Sequence, residues 1–244
     1  MPKPHLIIAD NAADLAQKAA PRIAAAIRRR PRLTLIPATG HTPLETYAEL
    51  TRLRHAGQVD ASQTRIFQLD EYVGLSPDDI RALYRWMREV LLEPLAIPSA
   101  QVTRLAGEAD DLTAECRRYD RAVMATGGID LAVLGLGPNG HLGFNEPPSD
   151  EHAPTRPVRL SEASLRSNAA YWGGRDQVPR EALTAGMSTL LAARQIILLV
   201  RGSHKRQILR RVLSGPITPE VPASYLQRAE CCTVIADRAA RPET

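Results

Sequence analysis

What constrains this chain most is a rhythm. Apolar runs of four to six residues alternate with longer stretches of helical periodicity. The runs are residues 6–9, 33–36, 65–69 (ending at Asp70), 129–134, 195–200 and 233–236. Between them the spacing predicts helices from a cap at Asp10 or Asn11 to about Arg29, then over 42–55, 80–92, 109–126, 161–172, 182–192 and 203–213. A strand that is apolar on both faces must be covered on both faces, and helices returning between such strands make them parallel. The expected fold is therefore α/β, a single doubly wound, mostly parallel sheet with helices on both faces.

At 244 residues the chain is long enough to bury a core without a disulfide or metal staple. No Pro/Ser linker, repeat or low-complexity segment divides it, so residues 1–244 read as one domain of Rossmann-like type. The 31 Lys+Arg against 27 Asp+Glu leave a net charge of +4. The densest basic runs, Arg28–Arg30 and Arg210–Arg211, fall at predicted helix ends, where they complement the dipole. Only 4% of residues are aromatic, which speaks against a base-stacking surface, so no nucleic-acid partner is expected. A mildly positive field suits a small anionic substrate instead. Cys116, Cys231 and Cys232 form no disulfide framework. The first residues do not read as a signal peptide, and no apolar stretch is long enough to span a bilayer. The expectation is a cytoplasmic protein without a membrane partner, with a homo-oligomer left open.

In doubly wound sheets ligands bind at the carboxyl ends of the strands. Four segments stand there. Thr39-Gly40-His41-Thr42-Pro43 offers backbone N–H groups at a helix start, a setting for phosphate or for an ordinary strand–helix turn. Gly202-Ser203-His204-Lys205 repeats that setting, and Lys205 sits where the helix dipole disfavours a cation. A bound anion would explain it, as would a solvated surface lysine. Asp70-Glu71 supplies either a proton-transfer base or a cap. Gly135, Gly137 and Gly140 satisfy a dinucleotide-type spacing, but His141-Leu142-Gly143-Phe144-Asn145-Glu146-Pro147 follows instead of an amphipathic helix. His141 and Glu146 on one irregular segment invite general acid–base chemistry. His5, His55 and His152 read as surface residues, and no His/Cys spacing suggests a metal site.

Taken together, residues 35–44, Leu69-Asp70-Glu71-Tyr72-Val73-Gly74-Leu75, residues 135–147, residues 176–184 and Gly202-Ser203-His204-Lys205 resemble the glucosamine-6-phosphate deaminase (isomerase) family, including its galactosamine-6-phosphate branch. The order is kept from about residue 30 to 236. The resemblance implies a cofactor-free enzyme that converts an amino-sugar 6-phosphate and water to a ketose 6-phosphate and ammonia. It implies that His141, with Glu146, opens the sugar ring and that Asp70 carries a proton from C2 to C1. It further implies that Thr39, Gly40 and Thr42 cradle the substrate, with Lys205 on the phosphate. Asn139 stands where many relatives have Asp, and is expected to orient the imidazole by hydrogen bonding. His41 replaces a small residue and is expected to narrow the pocket. A lid segment is expected near 150–180, and Ala170 stands where the family has a phosphate-gripping Arg, leaving Arg166 or Arg175 as substitutes. The competing readings are a 6-phosphogluconolactonase-type hydrolase and a non-enzymatic sugar-phosphate sensor.

Overall fold

The computed structural model describes residues 4–242; the side chains of Ser167, Ala170 and Tyr171 lie outside the described residues. Strand β1 (His5–Ala9) leads into α1 (Ala12–Arg29), where the Asn11 side chain accepts the Asp14 N–H at 3.0 Å and so caps the first turn. There follow β2 (Thr34–Ile36), α2 (Leu44–His55), β3 (Arg65–Phe67) and β4 (Asp70–Tyr72). Helix α3 (Leu83–Met87) runs on into one wider turn to Leu92 before β5 (Val102–Thr103). Helix α4 (Leu112–Ala125), capped by Asp111, precedes β6 (Leu131–Gly135). The second half adds β7 (Arg156–Arg159), α5 (Glu162–Trp172), β8 (Glu181–Thr184), α6 (Met187–Leu191), β9 (Gln195–Val200), α7 (Arg206–Ser214) and β10 (Cys232–Asp237).

Seven strands form one sheet in the order β1-β10-β9-β6-β2-β3-β5, and every pairing in it is parallel. Alternate residues serve the two faces. Leu35, Ile66, Val133 and Leu199 pack with Ile23 and Ile27 of α1 and Leu50 of α2. Ile36, Phe67, Leu134 and Leu198 pack with Tyr119 of α4 and Leu209 and Val212 of α7. Each such fully buried side chain stabilises the fold by roughly 1.5–3 kcal/mol relative to exposure. Burial on both faces is why these runs show no polar alternation.

Two expectations need correction. The run 65–69 does not continue to Asp70 as one strand: β3 stops at Phe67, and Asp70–Tyr72 belongs to a second, antiparallel sheet ordered β4-β8-β7. The segment 182–192 is not one helix but β8 followed by the short α6. Ala182 and Leu183 are good helix formers, so local preference misleads. What wins is distant pairing, with Asp70 opposite Thr184 and Tyr72 opposite Ala182. The small sheet has its own apolar cluster, in which Tyr72 meets Trp172 edge-on at 4.9 Å and Phe144 at 5.4 Å.

The chain moves from β2 outward to β3 and β5, then returns to place β6 on the other side of β2. The strand order therefore reverses between β2 and β6. Loops leaving these two neighbours diverge to opposite faces and open a crevice at their carboxyl ends.

Candidate active site

A cleft of about 720 Å³ occupies that crevice. It gathers Thr39, Gly40, His41 and Thr42 after β2, Asp70 of β4, His141 after β6, and Lys205 after β9. Asn139 and Glu146 stand behind the imidazole of His141 and touch it or its backbone.

Asp70 and Glu71 divide the two roles that the sequence left open. Successive strand residues point to opposite faces. Glu71 turns inward and accepts four donors at 2.8–2.9 Å: the Gln68 amide and the backbone N–H groups of Tyr72, Leu83 and Tyr84. It thereby caps α3, whose own Ala82 offers no side-chain cap. Asp70 turns to the cleft, where its one side-chain bond among the described residues is a long 3.4 Å contact from the Thr39 hydroxyl. Burial, reinforced by the neighbouring charge of Glu71, pushes the Asp70 carboxyl up to about 7. A buried carboxylate poised there is suited to accept and return a proton near neutral pH.

Opposite stands the His141 group. His141 Nδ1 lies 3.3 Å from Glu146 Oε2 and 3.5 Å from the Ser164 hydroxyl. Glu146 Oε2 also accepts from the Asn139 amide at 2.8 Å and the Ser161 hydroxyl at 3.0 Å. Burial opposes ionisation of Glu146, but the bond and charge of His141, with Ser164 and Asn139, hold its carboxyl down at about 2. A fixed carboxylate at Nδ1 leaves Nε2 as the nitrogen for exchange with a ligand. Asn139 does not orient the imidazole directly. Its amide holds Glu146, and its Oδ1 accepts the backbone N–H of His141 at 3.3 Å. A donor at position 139 suits a neighbour that is already a carboxylate.

Gly137 is fixed by this ring. A Cβ there would fall 2.1 Å from His141 Cδ2 and 2.2 Å from Nε2, closer than atoms approach. Gly137→Ala must therefore displace the imidazole. Displacement of about 1 Å in a reacting group costs on the order of 10²-fold in rate. The expected result is such a loss of kcat with a melting temperature close to wild type, read by assay and thermal denaturation on the same preparation.

The anion side of the cleft has two uncapped starts. Helix α2 begins after Pro43 and α7 after Lys205, neither with a side-chain cap; a tight turn leads into each, with the Leu44 N–H on the His41 carbonyl and the Arg206 N–H on that of Ser203. Gly40 and Gly202 hold φ values of +89° and +95°, the left-handed region, which turns each loop sharply into its helix. Lys205 makes no side-chain hydrogen bond or ion pair among the described residues, and burial alone pushes its ammonium down to about 8. A half-buried cation without a partner is incomplete until an anion arrives.

The remaining expectations concern the lid and the rim of the cleft. Arg175 pairs with Glu162 on the surface, Arg166 is exposed, and neither lines the cleft, so neither replaces the lid arginine. The side chain of Ala170 lies outside the described residues. His41 lines the rim from an exposed position. The cleft also includes Arg81, Trp172 and Arg201, which the sequence did not single out, and His204 of the Gly202–Lys205 segment. Arg201 immediately precedes a loop already chosen for its glycine and lysine, and that adjacency was the available signal.

The chain matches the family model described as glucosamine-6-phosphate isomerases/6-phosphogluconolactonase over residues 8–235. A glucosamine-6-phosphate deaminase of Halothermothrix orenii is 37% identical, over 97% of this chain and 98% of its own. One from a Geobacillus species is 40% identical over 96% and 93%. A solved structure described as a monomeric glucosamine-6-phosphate deaminase superposes with a TM-score of 0.94 at 37% identity, covering 97% of this chain and 98% of that one. A 6-phosphogluconolactonase from Trypanosoma cruzi shares the fold with a TM-score of 0.79 at 21% identity.

Proposed function

The chain belongs to the family of glucosamine-6-phosphate isomerases and 6-phosphogluconolactonases, and from that membership we propose that it is a glucosamine-6-phosphate deaminase. The observation that carries the choice is Asp70, a buried carboxylate raised to about 7 and facing a cleft with a His–Glu pair opposite. Lactone hydrolysis calls for water activation, not for a base that moves a proton between adjacent carbons. A sensor calls for neither group.

The phosphate of the substrate lies against Lys205 and the loop of Thr39, Gly40 and Thr42. His141 Nε2 takes the proton of the anomeric hydroxyl and delivers one to the ring oxygen as the C1–O5 bond breaks, giving the open aldehyde. Glu146 stabilises the imidazolium in between. Asp70 then removes the proton on C2 while the substrate's own C2 ammonium passes a proton to the aldehyde oxygen, giving a neutral enolamine. Asp70 returns its proton to C1, and the resulting C2 iminium takes up water and expels ammonia. The net change hydrolyses one C–N bond and leaves a ketose 6-phosphate. The steps need no cofactor. One chain supplies every group named, so a monomer suffices. Among the described residues no helix is long and apolar enough to cross a membrane, and the free thiols of Cys116, Cys231 and Cys232 fit a reducing cytoplasm.

The test is a product assay on glucosamine-6-phosphate, galactosamine-6-phosphate and 6-phosphogluconolactone side by side. Ammonia and ketose phosphate from the first are expected. Lactone hydrolysis without ammonia release would select the hydrolase reading, and faster turnover of the galactose epimer would reassign the substrate.

Lys205→Ala should raise KM for the phosphorylated sugar far more than it lowers kcat, as loss of uniform binding does. An unchanged KM would make Lys205 a surface cation. The pH dependence follows with its sign. Asp70 must be ionised, so kcat/KM rises through about pH 7. Lys205 must be protonated, so it falls above about pH 8. In Lys205→Ala the alkaline limb should weaken while the acid limb stays.

A further inference from the structure

The phosphate site as described holds one cation, Lys205, for a group that carries nearly two negative charges at neutral pH. We propose that Arg201 is its second cation, a phosphate-binding residue that fixes the preference for a phosphorylated sugar; this rests on the deaminase reading given above. Arg201 follows Val200, the last residue of β9, and immediately precedes the Gly202–Lys205 loop, and it lines the cleft. Its guanidinium reaches across to Glu45 in the first turn of α2, with Nη1 3.2 Å from Oε1. One end of the side chain is thus anchored on the loop that carries Lys205. The other end lies over the helix whose start carries Thr39, Gly40 and Thr42. These are the two walls of the phosphate site, and Arg201 spans them.

The pairing with Glu45 is the kind that a ligand displaces. Both side chains are nearly half exposed, at 44% and 45%. Exposed pairs contribute about 0–1 kcal/mol, whereas a phosphate offers the guanidinium fork a bidentate, doubly charged partner. The other arginine of the cleft is engaged differently. Arg81 makes two bonds to Asp79 at 2.7 and 2.8 Å and stacks over Trp172 at 5.1 Å. That leaves Arg201 as the arginine held loosely beside the phosphate loops.

The experiment measures binding of 2-amino-2-deoxyglucitol 6-phosphate, an open-chain analogue that cannot react, and of the same compound without phosphate. Arg201→Leu should weaken the phosphorylated analogue by roughly 10–100-fold, the range for losing a hydrogen bond between charged groups, and leave the unphosphorylated one unchanged. Arg201→Lys should recover part of the loss, since it keeps the charge without the fork. An unchanged phosphate preference in Arg201→Leu, with Lys205→Ala losing it, would overturn the assignment of Arg201 alone. A wild-type protein that binds both analogues equally would overturn the deaminase reading along with it. Melting temperature should not move, because the replaced side chain is exposed and weakly paired.

Discussion

Asp70→Asn is expected to lose about 10²–10⁴-fold in kcat, the usual worth of a positioned general base, while gaining stability above neutral pH. Both effects come from one cause. The wild-type carboxyl sits at about 7 instead of 3.8 because burial and Glu71 disfavour its charge. The folded state therefore binds that proton more tightly than the unfolded state. As pH rises from about 4 to 7 the unfolded chain has released the proton and the folded one still holds it, so wild-type stability falls across that window. Above it, the folded protein carries a buried charge that costs on the order of a few kcal/mol. Asn is close in shape, stays neutral at every pH and avoids that cost. The Asn variant should thus melt above wild type at pH 8, and the difference should shrink toward pH 5. Near-wild-type turnover in this variant would remove Asp70 from the mechanism. A variant less stable than wild type at pH 8 would show that the carboxylate is held by favourable contacts, contrary to the single long bond from Thr39.

The second large effect concerns His141→Gln. Glutamine preserves the bulk of the side chain and one hydrogen-bonding end toward Glu146, but it does not carry a proton between two oxygens. Turnover of the cyclic sugar should collapse by a factor comparable to that for Asp70, while the open-chain analogue still binds. If His141 served only to fill the turn over Gly137, replacement would lower the melting temperature and leave activity per folded molecule intact. The readouts separate because the ring touches little that supports the core. Among the described residues its side-chain hydrogen-bond partners are Glu146 and Ser164, and it stands in the space a Cβ of Gly137 would need. Wild-type turnover of glucosamine-6-phosphate by His141→Gln would defeat the assignment.

These expectations rest on parts of the molecule that were legible to different degrees. The central sheet was legible because its strands are buried on both faces, and double burial writes a continuous apolar run into the chain. The turns at Gly40 and Gly202 were legible because a sharp exit from a strand needs glycine at a fixed place. Since ligands collect at strand ends, His141 and Lys205 could be picked out as candidates by position, and so could Asp70, although it lies in β4 of the second sheet; their roles came from the family resemblance. The fold class and part of the list of groups in the cleft, without Arg81, Trp172 and Arg201, were thus properties of local sequence.

The division of labour among those groups was not. Nothing in the pair Asp70-Glu71 tells which carboxyl faces the cleft; that depends on β4 pairing with β8 more than a hundred residues away. Asn139 looked like a partner of the imidazole, and proved to hold Glu146 because the loop folds its amide onto that carboxylate. Lys205 could have been solvated, and only burial by the assembled loops leaves it partly stripped of water and unpaired. Arg201 meets Glu45 across 156 positions of chain. Local spacing determines which residues stand at the ends of strands. Burial and charge environment depend on elements distant in sequence, so only the tertiary structure decides which carboxylate can move a proton and which cation waits for an anion.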